Sequence, residues 1–271
     1  MPYLQLRDIR LYYESLGSGP ALFLVHGSWG DGRDWTRVFE PLAANYTVVR
    51  YDRRGHSRSE DSLTQGSPEE DADDLAALAR SLNLSSIYVA ANSWGGIVAL
   101  HCVRRHPGLI AKLALHEPPL FDLIKDKPLH REIYKHASAQ VVEAARRIEA
   151  GDGEDGAKTF VETAVGGPGS WDTIPAAARR MFIRNAKTFL DEMRDPDALY
   201  LSEADLRAVS IPVLLTQGTI SPPVYAPILE VLQSALPVTV RKTFDGAGHL
   251  PQISHPEQYC SILAEFLGSP A

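Results

Sequence analysis

Ala91-Asn92-Ser93-Trp94-Gly95-Gly96 stands between an apolar run, Ile87 to Ala90, and a helical stretch from about Ile97 to Arg105 that Pro107 stops. A sharp strand-to-helix turn forces its apex residue into a strained backbone conformation and exposes that side chain. Small neighbours let strand and helix close around it. The usual pattern is G-x-S-x-G; here Ala91 replaces the first glycine and is still small. Ser93 is therefore the candidate nucleophile, and a serine that merely N-caps the following helix is the competing reading.

Outward from this turn the chain alternates strands and helices. Ala21 to Val25 is a continuous apolar run, as in a strand buried on both faces. Tyr3 to Leu6 and Ile9 to Tyr13 read as a hairpin, Tyr46 to Tyr51 as a second buried strand, and Leu113 to His116 as the strand after the Ser93 helix. Ser67-Pro68-Glu69-Glu70 starts a helix with capping-box spacing that runs to about Leu82. This rhythm predicts an α/β fold with a mostly parallel central sheet flanked by helices. From Pro118 to about Ser210 the strands stop, and helical patterns follow at Leu129 to Ala150, Ala157 to Ala164, Ala176 to Met193 and Pro196 to Val209. Ile211 to Thr216 and Val238 to Phe244 restore the strand pattern, and Pro256 to Leu267 closes with a helix. An insertion this long, roughly 90 residues, is a subdomain rather than a loop.

Bulk properties exclude other classes. The 271 residues are 44% hydrophobic and 23% charged, an ordinary globular composition. The net charge of −7 lacks the basic footprint of a nucleic-acid binder. Cys102 and Cys260 have neither metal-type spacing nor the density of a disulfide scaffold. The start of the chain lacks a signal-peptide apolar region, and no apolar run approaches the ~20 residues of a membrane helix, so a cytoplasmic protein is expected.

Two further motifs sit at strand ends on the same sheet edge. Gly246-Ala247-Gly248-His249 follows the last strand, where glycines let the loop carry an imidazole over the edge; a surface histidine is the alternative. His26-Gly27-Ser28 follows an earlier strand, and the backbone N–H groups of Ser28 and Trp94 can converge on one oxyanion. The succession His26-Gly27-Ser28-Trp29-Gly30, Tyr51-Asp52-Arg53-Arg54-Gly55-His56-Ser57, Asn92-Ser93-Trp94-Gly95-Gly96 and Gly246 to His249 resembles the α/β-hydrolase superfamily over essentially the whole chain. The resemblance implies a core of residues 1–117 and 211–271 with a helical cap, 118–210, roofing the site, and a scaffold role for Asp52 to Ser57.

The resemblance also implies a triad acid after the strand around Val213 to Thr216, but Gln217-Gly218-Thr219-Ile220-Ser221-Pro222-Pro223 holds no carboxylate, and Ser221 stands where an aspartate is expected. Glu117, in Leu113-Ala114-Leu115-His116-Glu117-Pro118-Pro119, offers the alternative position used by some members; lactonases that open the mycotoxin zearalenone look similar there. A hinge glutamate is the other reading of Glu117, and Asp245 is a rival acid. His116, one residue away along a strand, is expected to face the other way and serve structure. Cys102 is expected to be core packing, and Trp29 and Trp171 are candidate substrate contacts.

The expected function is hydrolysis of a small or medium apolar carboxylic ester or lactone through an acyl-enzyme on Ser93, with His249 as base and Glu117 as acid. No metal, organic cofactor, nucleic acid or membrane partner is implied, and a homodimer is left open. A ligand receptor on the same scaffold, or a carbon–carbon hydrolase or lyase using the same triad, are the alternatives.

Overall fold

The computed structural model describes residues 3–6, 8–61, 65–195 and 199–269. Its strands are β1 (Tyr3–Gln5), β2 (Arg10–Leu16), β3 (Ala21–Val25), β4 (Thr47–Tyr51), β5 (Ile87–Asn92), β6 (Ile110–His116), β7 (Val213–Gly218) and β8 (Thr239–Phe244). They form one sheet in the order β1-β2-β4-β3-β5-β6-β7-β8. β1 and β2 pair antiparallel, as do β2 and β4; every later pairing is parallel. The mostly parallel sheet flanked by helices is the one expected.

Helices α1 (Thr36–Ala43), α2 (Pro68–Ser81) and α3 (Trp94–Arg105) connect the early strands. Period-two alternation explains how they cover two faces. Leu22 and Leu24 of β3 join a cluster with Trp35 and Val38, whereas Phe23 and Val25 join another with Leu75 and Ile97. With both faces covered, β3 is buried along its whole length. The Ser67 side chain accepts from the Glu70 N–H, and Glu69, Glu70 and Asp71 load the first turn of α2 where the helix dipole favours acids.

Between β6 and β7 the described chain is helical: α4 (Asp122–Lys125), α5 (Arg131–Glu149), α6 (Gly153–Phe160), α7 (Ser170–Thr173), α8 (Ala176–Arg194) and α9 (Glu203–Arg207). The helix expected over Pro196 to Val209 is shorter in the described residues. Only α9 is helical, closed by a reciprocal Ser202–Asp205 capping box; residues 196–198 lie outside the described residues. α10 (Tyr225–Ala235), α11 (Pro251–Ser254) and α12 (Pro256–Gly268) complete the fold. The sequence reading left α10 out. It is apolar on most sides, so it lacks the one-sided period of a surface helix. Among the described residues no helix is long and apolar enough to cross a membrane.

The chain runs from β3 to β4 on one side and then returns to β5 on the other. The strand order therefore reverses between β3 and β5, where open α/β sheets bind ligands beyond their carboxyl ends. His26, Ser93, Glu117 and His249 all follow strand ends on that edge.

Candidate active site

Ser93 joins β5 to α3 at φ 53° and ψ −125°, a conformation costly for any residue but glycine. Three of the five non-glycine residues with positive φ among those described surround this edge: Trp29, Ser93 and Glu117. Ser93 occupies the cap position of α3, yet its side chain bonds to no helix N–H, which removes the capping reading. The turn closes because Gly95 is bare: a Cβ there would lie 2.5 Å from the Val25 carbonyl oxygen and 2.6 Å from that of His26. Ala91 packs its methyl into the core. The position two before the apex thus needs a small residue and here accommodates Cβ.

Glu117 and His249 meet in the interior. His249 Nδ1 lies 2.6 Å from Glu117 Oε2, and both side chains are buried. The second carboxylate oxygen accepts the Gly218 N–H at 2.9 Å. An ionised carboxylate only accepts, so Nδ1 carries the proton and Nε2 presents its lone pair. Burial alone would raise the Glu117 carboxyl, but the neighbouring His116 ring and the hydrogen bond from His249 hold it well below the usual range. Asp245, the rival acid, is exposed and reaches only the Thr219 hydroxyl at 3.4 Å. Ser221 leaves its buried hydroxyl without a partner.

Two residues missed by the sequence reading hold His249. The Asn92 amide, beside the nucleophile candidate, donates to the His249 carbonyl at 2.9 Å. The Tyr225 ring stacks on the imidazole at 4.6 Å between centroids and 12° between planes, with its hydroxyl 3.4 Å from Nε2. Burial pushes the Tyr225 phenol well above its ordinary range, so it stands there as a neutral hydroxyl. Ser93 Oγ makes no hydrogen bond to His249. Asn92 lies inside the quoted motif; nothing in the sequence marked Tyr225.

His116 departs from expectation. It was expected to face away, but its Nε2 lies 3.5 Å from Glu117 Oε2. Alternation fails because Glu117 lies beyond the end of β6 with φ 47°, which turns its side chain out of the strand's register. Thr216 Oγ1 donates to the Leu115 carbonyl and has no second hydrogen, so His116 Nδ1 donates to Thr216 at 3.0 Å. Burial pushes the His116 ring down, although Glu117 opposes the shift.

Ligand atoms of His116, Glu117 and His249 lie within 4.8 Å of one another, the arrangement among the described residues that could surround a metal. The spacing of these donors does not fit one. A tetrahedral ion with bonds of about 2.1 Å sets its ligands roughly 3.4 Å apart, whereas His249 and Glu117 stand at hydrogen-bond distance.

Ser28 and Trp94 line a small cavity with Ser93, and no described residue engages their main-chain N–H groups. The cavity measures about 30 Å³, and Phe121, Val141, Phe160, Phe189 and Met193 complete an uncharged apolar wall. An adjoining groove of about 310 Å³ shares Phe121, Val141 and Tyr225 with it, and is rimmed by Glu132, His136 and Gln140. The expected substrate contacts at Trp29 and Trp171 need correction. Trp29 is wholly buried and stacks behind the wall on Phe160 and Phe189 at 5.2 and 4.8 Å, while Trp171 packs on Phe182. Both are large aromatics absorbed by packing. Cys102 is buried in the core cluster, as expected, and burial pushes its thiol up to about 12.

Residues 22–262 match the family model described as the alpha/beta hydrolase family. The pimeloyl-acyl-carrier-protein methyl ester esterase of Chromobacterium violaceum is 31% identical over 271 residues, covering 97% of this chain and 100% of that protein. A hydrolase of Bacillus subtilis is 33% identical over 154 residues, 54% of this chain and 57% of that one, so the match spans little more than half the length of that relative. A thermophilic esterase from Thermogutta terrifontis superposes with a TM-score of 0.78 at 25% identity, covering 96% of this chain and 93% of that one.

Proposed function

The chain belongs to the alpha/beta hydrolase family, and on that premise we propose that it is a serine hydrolase of uncharged, apolar carboxylic esters or lactones, acting through an acyl-enzyme on Ser93. The observation that carries the reading is the buried His249–Glu117 hydrogen bond of 2.6 Å, which fixes the tautomer whose Nε2 can take a proton. Names of the relatives agree with ester hydrolysis: one is a methyl ester esterase and another an esterase.

Ser93 Oγ attacks the substrate carbonyl while His249 Nε2 takes its proton. Glu117 stays ionised and stabilises the imidazolium. The main-chain N–H groups of Ser28 and Trp94 hold the tetrahedral oxyanion. His249 returns its proton to the leaving alcohol, and a water activated by the same ring then releases the acid and frees Ser93. Nucleophile–base hydrogen bonds of this kind commonly tighten only when substrate docks, so the separation of Ser93 from His249 is compatible with these roles.

Residues 118–210 act as the cap over a core formed by 1–117 and 211–271. Val141, Phe160, Phe189 and Met193 of that insertion supply much of the wall over Ser93. The wall carries no charge, which favours an uncharged acyl or alkoxy group beside the nucleophile. Its cavity is far below the ~300 Å³ of an ordinary small-molecule site. Only a small reacting group fits beside Ser93 without movement, and the rest of the substrate extends into the adjoining groove. The test is a panel of p-nitrophenyl esters of increasing acyl length, lactones and amides assayed on the purified protein. Turnover of uncharged esters with a pre-steady-state burst of p-nitrophenol supports the reading; ligand binding without acyl-enzyme refutes it and favours a receptor on the same fold.

A further inference from the structure

Asn185, Thr188 and Glu192 lie at helical spacing on α8 and share one face of it. All three are buried and polar, in a helix whose other buried side chains include Met181, Phe182 and Phe189. All three reach the turn that follows β4, where Thr188 Oγ1 lies 3.0 Å from His56 Nε2 and Asn185 Oδ1 accepts the Ser57 N–H at 2.9 Å. Two of them, Asn185 and Glu192, also reach the segment that follows β3. Asn185 Nδ2 donates to the carbonyls of Trp29 and Gly30, each at 2.9 Å. Glu192 Oε2 accepts from the Ser28 hydroxyl at 2.5 Å. Glu192 Oε1 accepts from Arg53 Nη2 at 2.7 Å, and the same nitrogen reaches the Gly27 carbonyl at 3.3 Å. Four consecutive residues, Gly27 to Gly30, are therefore held by this helix, directly or through Arg53. One of them, Trp29, sits at φ 67°, a conformation that surrounding contacts must enforce.

We propose that Asn185 and, above all, Glu192 position the oxyanion loop, so that the Ser28 N–H is aimed at the reacting carbonyl through the hold of α8 on Gly27 to Gly30. The inference rests on the serine-hydrolase reading above. A buried ion pair is poor evidence of added stability, because desolvation cancels much of the attraction. Burial pushes the Glu192 carboxyl up to about 7 even with Arg53 beside it, so this carboxylate is a costly way merely to dock a helix. What it adds is direction: a planar group with one oxygen on Ser28 and the other on the guanidinium that reaches Gly27. Glu192 and Asn185 are positioning residues that act through the loop and do not touch the reacting atoms.

The test is a double-mutant cycle with Ser28→Ala and Glu192→Gln, read as kcat and KM on p-nitrophenyl acetate and as the rate of phosphonylation by a fluorophosphonate. Ser28→Ala leaves the Arg53 ion pairs with Glu192 and Asp71 in place and removes only the loop's hydroxyl link. Each single variant is expected to lower kcat and the phosphonylation rate about 10- to 100-fold, with KM within about twofold, as when a donor is displaced by a fraction of an ångström. The double variant is expected to fall no further than the worse single one. Wild-type kcat in Ser28→Ala overturns the proposal, as do losses that multiply in the double variant. If Glu192→Gln fails to fold, Ser28→Ala decides alone. A wild-type protein that takes neither ester nor fluorophosphonate overturns the parent reading, a result distinct from a reactive wild type with an indifferent Ser28→Ala.

Discussion

Replacing Glu117 by glutamine changes one atom's hydrogen-bonding character, and the geometry dictates the consequence. In the native protein both carboxylate oxygens accept, one from Gly218 N–H at 2.9 Å and one from His249 Nδ1 at 2.6 Å. A glutamine amide has one acceptor and one donor end. If its oxygen keeps the Gly218 N–H, its NH2 faces His249 Nδ1, which must then accept. The ring proton moves to Nε2, and the lone pair needed to take the Ser93 proton is lost. If the amide is flipped, two donors meet at Gly218, leaving a buried N–H unpaired at about 1–3 kcal/mol, and the imidazolium still loses its counter-charge. Loss of a triad acid costs about 10⁴ in kcat, or roughly 5.4 kcal/mol at 1.36 kcal/mol per tenfold. We expect Glu117→Gln to lower kcat about 10³- to 10⁴-fold on p-nitrophenyl esters while the circular-dichroism spectrum stays native. Asp245→Asn, at an exposed position reached only by Thr219, should stay within about twofold of wild type. A Glu117→Gln enzyme within tenfold of wild type, or a larger loss in Asp245→Asn, would refute the assignment.

Other consequences follow from the same structure. His26 donates through Nδ1 to the Gly27 carbonyl and accepts the Arg53 N–H on Nε2, so it must stay neutral; burial, aided by the Arg53 charge, lowers it to about 4. The unfolded chain then binds the extra proton between pH 6.5 and 4, and this contribution to stability is lost as pH falls through that window, by about 1.4 kcal/mol per unit. Urea unfolding at pH 6.5 and 5.5 should show this as a changing difference between wild type and His26→Gln, and a constant difference would contradict it. Gly95→Ala would drive a Cβ against two carbonyls of the β3 end; we expect about 2–3 kcal/mol of destabilisation by urea titration, as for overpacked cores, and an unchanged midpoint would contradict this. Cys102 is buried, with its thiol pushed up to about 12, whereas Cys260 is half-buried. A native thiol titration with Ellman's reagent should modify Cys260 first and Cys102 only on unfolding, so equal rates would count against the packing.

Strand positions were readable because a sheet covered on both faces demands unbroken apolar runs, and β3 was predicted with its observed ends. α10 was not, since a helix buried nearly all round shows no one-sided period. At the site, the turns that carry Ser93, Glu117 and His249 were visible as motifs because each needs small or special residues at fixed places. The partners of those residues were not. Tyr225 and Glu192 reach the site from helices 24 residues before His249 and 164 residues after Ser28 in the chain, and no local pattern records contacts over that distance. His116 misled for a definable reason: alternation holds along a strand, but Glu117 had already left it at φ 47°. Trp29 and Trp171 misled because a tryptophan's bulk suits a pocket wall and the packing behind it equally well.

The most direct test of the central claim, that Ser93 is a nucleophile activated by His249, is intact-protein mass spectrometry after exposure to a fluorophosphonate, followed by peptide mapping. A single phosphonyl adduct on Ser93 is expected, absent in Ser93→Ala and formed far more slowly in His249→Gln. No adduct on the native protein, an adduct elsewhere, or labelling that persists in Ser93→Ala would contradict it.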